Sequence, residues 1–308
     1  MLTLTTPAAS RSNVAGARAI DVCVADVLEI LRARTGVDFA SYRPAMLERR
    51  IARHFATSGA ASSEDYLRQL QGSPAAAFRL LEHITIKVSR FYRHAPTFDH
   101  LSAELLEQLA RERAGRPLRI WCAGCGAGEE AYTFAMLLEH ADIDGSVEAT
   151  DVDSTALNDA RFGIYPISAT VELPPALAEQ YLEPVVSRGA PAYRAPDKLR
   201  MRIRFSRHDV TSDAPPPSGR RFDLVSCRNV LIYLQPHAQA DATRRLLEAT
   251  EENGVFCVGE SEWPLPAFAA KLQPLSSRTR LFRVHVTTTP FEADQELNRA
   301  GLSGMIPV

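Results

Sequence analysis

The sequence lacks a long apolar run, and its 308 residues include only two tryptophans and five cysteines. No stretch approaches the ~18 consecutive apolar residues of a membrane-spanning helix. Residues 1–19 have no apolar signal core, so we expect neither membrane insertion nor export, and therefore a cytoplasmic location. The cysteine count is odd, and in that compartment the cysteines are expected to be reduced thiols.

Histidine and cysteine are not grouped at the spacing of a metal site, so no metal is expected. The pair Cys122 and Cys125 has the Cys-x-x-Cys spacing of a redox motif or of half a zinc site. No second such pair or nearby histidine pair completes a zinc site, and Cys122 falls in a predicted strand. Buried thiols are therefore the better interpretation.

The formal net charge is −2, which argues against a general electrostatic attraction to DNA or membranes. The sum hides an asymmetry, because residues 1–113 contain 15 Lys and Arg against 12 Asp and Glu, and the remainder contains 20 against 25. The positive charge is concentrated on one predicted helix, opposed only by Glu48. Its arginines are Arg43, Arg49, Arg50 and Arg53. They form either a solvated face or a docking surface for an acidic partner.

The length and the hydropathy pattern predict two domains, at ~150 residues each. Residues 20–93 show the three-to-four-residue periodicity of a helical N-terminal domain, and residues 94–116 are predicted as a linker helix. Strands and helices alternate over residues 117–286, which is typical of a parallel α/β sheet. Residues 1–19 are expected to be a flexible leader and residues 287–308 a flexible tail.

Residues 174–204 interrupt the alternation and are predicted as a small antiparallel β insert. The pattern predicts a strand over residues 199–205, in which Arg200, Arg202 and Arg204 share one face. That face is a second candidate contact for an acidic partner.

The strongest local motif is Ala-Gly-Cys-Gly-Ala-Gly-Glu-Glu at residues 123–130, between a predicted strand and a helix. Glycines allow a backbone to approach a ligand closely. The motif departs from the dinucleotide fingerprint G-x-G-x-x-G, and its two acids would repel a pyrophosphate. A cationic ligand such as S-adenosylmethionine (SAM) fits better, the alternative being an ordinary glycine turn.

Polar residues also follow three other predicted strands. Asp151 and Asp153 stand where an acid accepts hydrogen bonds from ribose hydroxyls or caps the following helix. Residues 208–210 could contact an adenine, and Arg228 and Asn229 follow the next strand. Because open α/β sheets bind ligands at the carboxyl ends of their strands, these segments together predict one SAM site.

The motifs resemble those of the chemotaxis-receptor methyltransferase family (CheR), over about residues 20–286. The similar segments, in the family's order, are residues 84–93, 120–132, 149–153 and 227–233. The resemblance implies an α/β fold with the Rossmann-like sheet of class I SAM methyltransferases, an N-terminal all-helical domain and a small antiparallel β insert. It also implies SAM as cofactor, S-adenosylhomocysteine as product, and methyl esters on glutamates of chemoreceptor-type signalling proteins.

The resemblance also assigns site residues, with Arg93 and Tyr233 as the catalytic pair. The implied cofactor-binding residues are Lys87, Ser89, Arg93, Ala123, Gly124, Glu129, Asp153, Asp209, Val210, Arg228 and Asn229. Among them, Glu129 corresponds to the acid that binds the SAM ammonium group and Asp153 to the ribose acid. Asp209 and Val210 correspond to the adenine contact. The four docking arginines would meet an acidic helical region of the receptor.

Other functions remain open. The same fold could methylate a non-receptor protein, or a nucleic acid whose phosphates contact the arginines. An isoelectric point of 6.5 argues against nucleic acid. A non-catalytic SAM-binding regulator is a further alternative, although the retained Arg93 and Tyr233 favour activity. We expect a monomer, because nothing in the sequence indicates an obligate dimer.

Overall fold

The computed structural model describes residues 22–85, 89–211 and 219–285. The predicted leader, the predicted tail and Lys87 lie outside these ranges. Within them, no helix has the length and apolar character needed to cross a membrane.

Four helices form the N-terminal part: α1 (Val24–Thr35), α2 (Pro44–Thr57), α3 (Ser63–Gly72) and α4 (Pro74–Ile84). They surround one apolar cluster that includes Leu31, Ile51 and Leu80. Ser62 caps α3 by accepting a hydrogen bond from the backbone of Asp65. The predicted N-terminal helical domain is therefore confirmed.

The later helices are α5 (Ala95–His100), α6 (Leu106–Glu112), α7 (Glu129–His140), α8 (Ser154–Phe162), α9 (Pro175–Tyr181), α10 (Asp197–Arg200) and α11 (Pro236–Glu248). A π-helical stretch, Leu101–Leu105, joins α5 to α6. Helix α7 is buried along most of its length, because it packs against the central strands.

The strands are β1 (Leu118–Ala123), β2 (Gly145–Asp151), β3 (Ile164–Pro166), β4 (Glu183–Ser187), β5 (Ala190–Arg194), β6 (Ile203–Arg207), β7 (Phe222–Cys227), β8 (Thr250–Val258), β9 (Leu272–Pro274) and β10 (Leu281–Val284). Seven of them form one sheet in the order β6-β2-β1-β7-β8-β10-β9. Its first five strands are parallel, whereas β10 is antiparallel to β8. This sheet confirms the predicted class I methyltransferase architecture.

The remaining strands form an antiparallel insert, as predicted, in the order β3-β5-β4. It begins at Ile164, before the predicted residues 174–204, and its last strand ends at Arg194. The prediction of an insert strand over residues 199–205 is wrong. Asp197–Arg200 form α10, and β6 pairs in parallel with β2 of the main sheet, where its backbone hydrogen bonds are satisfied. The Arg202 side chain consequently donates to Glu139 instead of lining an exposed strand face.

Backbone hydrogen bonds tie the helical domain to the carboxyl edge of the sheet. The Arg43 N–H donates to the Tyr233 carbonyl at 2.9 Å, and the Gln235 N–H donates to the Ser41 carbonyl at 2.9 Å. Tyr42 lies between them, in an isolated β-bridge with Leu234. The helical domain therefore holds Tyr42 at the edge where parallel strands present their ligand-binding ends.

Candidate active site

A cavity lies where the helical domain meets the carboxyl edge of the sheet. Predicted site residues that line it are Ser89, Arg93, Gly124, Val210, Arg228, Asn229 and Tyr233. Asp151, a candidate ribose acid, lines it too, and so do Tyr42, Met46 and Glu130, for which the sequence predicted no role. The cavity is thus built from both domains.

The glycine-rich loop meets the cavity at two glycines that flank Cys125. Gly124 and Gly126 have φ angles of 75° and 56°, in the left-handed region that favours glycine. A Cβ on Gly124 would lie 2.3 Å from a methyl carbon of Val230, whereas a Cβ on Gly126 would meet no atom within 4 Å. Ala123, predicted as a cofactor contact, is instead buried in the core, because it is still part of β1.

The structure corrects the predicted ribose acid. Asp153 is buried and caps α8, since its Oδ1 accepts hydrogen bonds from the N–H groups of Thr155 and Ala156. Asp151 lines the cavity, and its Oδ2 accepts a hydrogen bond from Gly126 N–H at 2.9 Å. The alternative of a helix cap therefore holds for Asp153, and Asp151 is the acid available to a ribose.

Glu129 and Glu130 open α7 but have different surroundings. Burial raises the pKa of Glu129, while hydrogen bonds from its own backbone and from Ser89 lower it. Among the described residues, no hydrogen-bond donor meets its Oε2, although this atom is buried. An unpaired buried carboxylate oxygen is costly, and a ligand ammonium group would satisfy it. Glu129 is set behind the cavity wall, which Ser89 and Glu130 line.

Glu130 and Arg228 form a buried ion pair, with Arg228 Nη1 donating to Glu130 Oε2 at 2.8 Å. Burial lowers the pKa of Arg228, but the charge and hydrogen bond of Glu130, together with the nearby Cys257 and Cys122, outweigh burial and raise the pKa overall, so the guanidinium stays charged. Arg228 Nη2 donates to the Arg93 carbonyl at 2.6 Å. The pair therefore fixes the backbone that carries Arg93.

Three residues at this end of the cavity have left-handed backbones without being glycine. Tyr92 and His94, on either side of Arg93, have φ angles of 59° and 65°, and Asn229 has 61°. Such conformations persist where surrounding contacts enforce them, and they cluster at functional sites. They place the side chains of Arg93 and Asn229 on the cavity wall.

Glu262 enforces the conformation at Asn229. Its buried carboxylate accepts hydrogen bonds from the N–H groups of Asn229 at 2.7 Å, Ile232 at 3.1 Å and Gly259 at 2.6 Å. The sequence analysis did not assign this role, since a buried acid that binds only backbone groups has no distinctive spacing in the sequence.

Tyr42, His208 and Val210 also line the cavity. Desolvation raises the pKa of the Tyr42 phenol strongly, and the nearby charges of Asp209 and Asp151 raise it further. Asp209 does not line the cavity as predicted, because its Oδ1 accepts hydrogen bonds from the N–H and hydroxyl of Thr211. Val210 supplies the apolar surface expected there.

The four predicted docking arginines are in different environments. Arg49 and Arg53 are exposed on α2. Arg50 is not available for docking, because its Nη1 donates to the Ile84 carbonyl at 2.5 Å and its guanidinium lies 5.5 Å from the Tyr233 ring centroid. The Nε of Arg43 donates to the Leu234 carbonyl, which joins the domains.

Cys122 and Cys125 are buried thiols whose pKa values are raised, above all by desolvation. Thiols with raised pKa values are poor nucleophiles and metal ligands. Among the described residues, no cluster of His, Cys, Asp and Glu could hold a metal ion. The pair is part of the core, with Cys125 also reaching the cavity.

Comparisons with known proteins agree with this geometry. Two family models match: "CheR methyltransferase, all-alpha domain" at residues 24–85 and "CheR methyltransferase, SAM binding domain" at residues 87–280. A "Chemotaxis protein methyltransferase" of Listeria monocytogenes is 30% identical over 239 residues, covering 76% of this chain and 87% of that protein. The "Probable biofilm formation methyltransferase WspC" of Pseudomonas aeruginosa is 25% identical, covering 76% of this chain and 55% of that protein.

An "Uncharacterized 104.1 kDa protein in hypE 3'region" of Rhodobacter capsulatus is 32% identical over 283 residues. The match covers 90% of this chain but only 29% of that longer protein. Together the two family models cover most of the chain and confirm the resemblance drawn from its motifs. The chain belongs to the CheR methyltransferase family and is a methyltransferase whose cofactor is S-adenosylmethionine.

Proposed function

We propose that this enzyme forms methyl esters on glutamate side chains of chemoreceptor-type signalling proteins. The observation that carries the proposal is the set of groups at one end of the cavity. Arg93, Asn229 and Tyr233 line it with hydrogen-bond donors, and the lining acid next to them, Glu130, is already paired with Arg228. That end of the cavity suits an incoming carboxylate.

The residues present fit SAM. The unpaired Oε2 of Glu129 suits the ammonium group of the cofactor, Asp151 suits its ribose, and Val210 suits its adenine ring. When bound, SAM supplies an activated methyl group on a sulfonium. Glu129 is the first residue of α7, Asp151 is the last residue of β2, and Val210 follows β6.

The chain's own residues have little proton chemistry to perform. A glutamate side chain has a pKa near 4.3, so the substrate carboxylate is ionised at neutral pH and needs no general base. Arg93 orients this carboxylate, and the Tyr233 hydroxyl donates a hydrogen bond to it. Holding the reactants in place and excluding water supply the rate enhancement.

The substrate protein approaches along α2. Arg49 and Arg53 are exposed there, while Arg50 of the same helix contacts the Tyr233 ring from the inner side. The basic face is thus next to a residue of the reaction end. An acidic helical region of a receptor would be steered to it electrostatically.

Methyl transfer to an acidic helical receptor fragment, followed with radiolabelled SAM, tests the proposal. A carboxyl ester is labile to base, so mild alkali should release the label as volatile methanol. Label that resists alkali, or that enters nucleic acid in preference to the fragment, would contradict glutamate esterification. A fragment with its acceptor glutamates changed to alanine is the matched control.

A further inference from the structure

Trp263 is a solvent-exposed tryptophan on the loop that follows β8. Its side chain is 59% exposed, and the Arg280 guanidinium lies 3.9 Å from its ring centroid. The ring also contacts Phe282 edge-on at 6.2 Å. The second tryptophan of the chain, Trp121, is only 2% exposed. Tryptophan and arginine are the residues most enriched among the energetically dominant contacts of protein interfaces.

The loop that carries Trp263 is held rigidly. The preceding residue, Glu262, accepts three backbone hydrogen bonds, one of them from Gly259 in the same loop. A Cβ on Gly259 would lie 2.7 Å from Asn229 Nδ2, so the loop lies closely against the one that carries Asn229. Arg280 Nε donates to the Glu260 carbonyl at 3.2 Å. An aromatic side chain on a fixed loop loses little entropy when a partner covers it.

The same loop borders the reaction end of the cavity on two sides. Glu262 binds the backbone of Asn229, and the Glu260 carboxylate lies 3.7 Å from Nε2 of His94, the neighbour of Arg93. Asn229 and Arg93 both line the cavity. Trp263 therefore lies on a loop that packs against two wall-forming segments, and its exposed side forms a rim next to the cavity.

We infer that Trp263, with Arg280 stacked on it, is a contact surface for the acidic helical substrate protein. The inference rests on the proposed function and adds a second contact to the basic face of α2. The loop over residues 229–233 connects the two, since Glu262 binds its start and Arg50 of α2 contacts Tyr233. Arg280 and the exposed Arg278 give the rim positive charge that complements an acidic helix.

A nucleic acid is the other ligand class that would stack on a tryptophan. Binding sites for single strands combine several aromatic side chains with a basic groove. The rim offers one tryptophan, beside the Glu260 carboxylate, which is 69% exposed. A protein helix with one apolar residue and several acids matches this surface better.

Fluorescence quenching measures the contact directly. Iodide cannot reach the buried Trp121, so quenching of the full chain reports Trp263. A tryptophan-free acidic receptor fragment should protect Trp263 from quenching by iodide. The fragment concentration that gives half of this protection should equal the fragment's Kd measured by calorimetry. Binding without protection would overturn the inference. Protection by a single-stranded oligonucleotide and not by the fragment would overturn it as well.

The kinetics of Trp263 variants distinguish a contact with the substrate protein from a purely structural role of this side chain. Trp263→Ala should raise the KM for the fragment about tenfold, with kcat and SAM affinity nearly unchanged, and Trp263→Phe should have a smaller effect. Met201→Ala is the control, because Met201 is 81% exposed on a different edge of the sheet. An unchanged KM for Trp263→Ala, with methylation intact, overturns this inference and leaves the proposed function standing. If the fragment is neither bound nor methylated, both this inference and the proposed function fail.

Discussion

Arg228 donates to the Glu130 carboxylate at 2.8 Å and to the Arg93 carbonyl at 2.6 Å, with one guanidinium. Its side chain is 3% exposed, so this link between β7, α7 and the segment before α5 is shielded from water. Removing either partner of a shielded ion pair lowers the stability of the fold strongly, because it leaves an uncompensated buried charge.

Arg228→Ala should therefore lower the free energy of unfolding by roughly 3–5 kcal/mol, measured by urea denaturation. Arg111→Ala is the control, since Arg111 pairs with Glu107 on the surface and its side chain is 69% exposed. The control should lose less than about 1 kcal/mol. Equal losses in the two variants would show that the Arg228 pair contributes no more than a surface pair.

Substitutions of the two aspartates at the end of β2 should have different effects on SAM binding and on stability. Asp151→Asn removes charge from the cavity wall and should weaken SAM binding about tenfold or more. Asp153→Asn alters a helix cap and should cost at most ~1 kcal/mol of stability, with SAM affinity nearly unchanged. Calorimetric titration with SAM and thermal unfolding measure both quantities. Weaker SAM binding by Asp153→Asn, with unchanged affinity in Asp151→Asn, would instead assign the ribose contact to Asp153.

Glu129 should give SAM binding a pH dependence. Burial raises its folded-state pKa above the unfolded value, so between the two the folded carboxyl keeps a proton that the unfolded chain has lost, and stability falls as pH rises through this interval. An ammonium ligand binds the ionised form. SAM affinity should therefore fall as pH drops through the raised pKa, at a pH above the usual glutamate range.

Titrations across mildly acidic pH, with folding monitored by circular dichroism, measure that dependence. Glu129→Gln should bind SAM more weakly at neutral pH and lose the dependence. Glu107→Gln, at a surface acid of α6 whose side chain is 54% exposed, should keep it. A wild-type affinity that does not change with pH would refute the ammonium assignment.

The basic face of α2 should affect the substrate protein and not the cofactor. Arg49→Glu with Arg53→Glu should raise the KM for an acidic receptor fragment about tenfold, and added salt should narrow the difference. Arg68→Glu with Arg111→Glu is the charge-matched control, because both of these side chains are exposed elsewhere. Full activity of the α2 variant would remove the docking role.

Much of the fold could be predicted from the sequence because its signals are local. The glycine-rich segment between β1 and α7, and the polar residues after β2, β6 and β7, lie where the alternation of strands and helices predicts one ligand edge. The error over residues 199–205 has a physical cause. Alternation identifies a strand but not its partner, and β6 pairs with β2 instead of with the insert.

The site was predicted less well wherever a role depends on long-range packing. Asp151 and Asp153 are two residues apart at the end of one strand, and only the fold shows which faces the cavity and which caps α8. Tyr42 reaches the cavity because backbone hydrogen bonds dock its loop on residues 233–235. Arg50 shares a helix with Arg49 but points inward.

The most direct test of the central claim is the chemical position of the transferred methyl group. Tandem mass spectrometry of an acidic helical receptor fragment, after incubation with the enzyme and SAM, locates a gain of one methylene mass on individual side chains. We expect the gain on glutamate carboxylates, and its disappearance after mild alkali. Methylation confined to lysine, arginine or a chain terminus would contradict glutamate esterification, whatever the affinity for SAM.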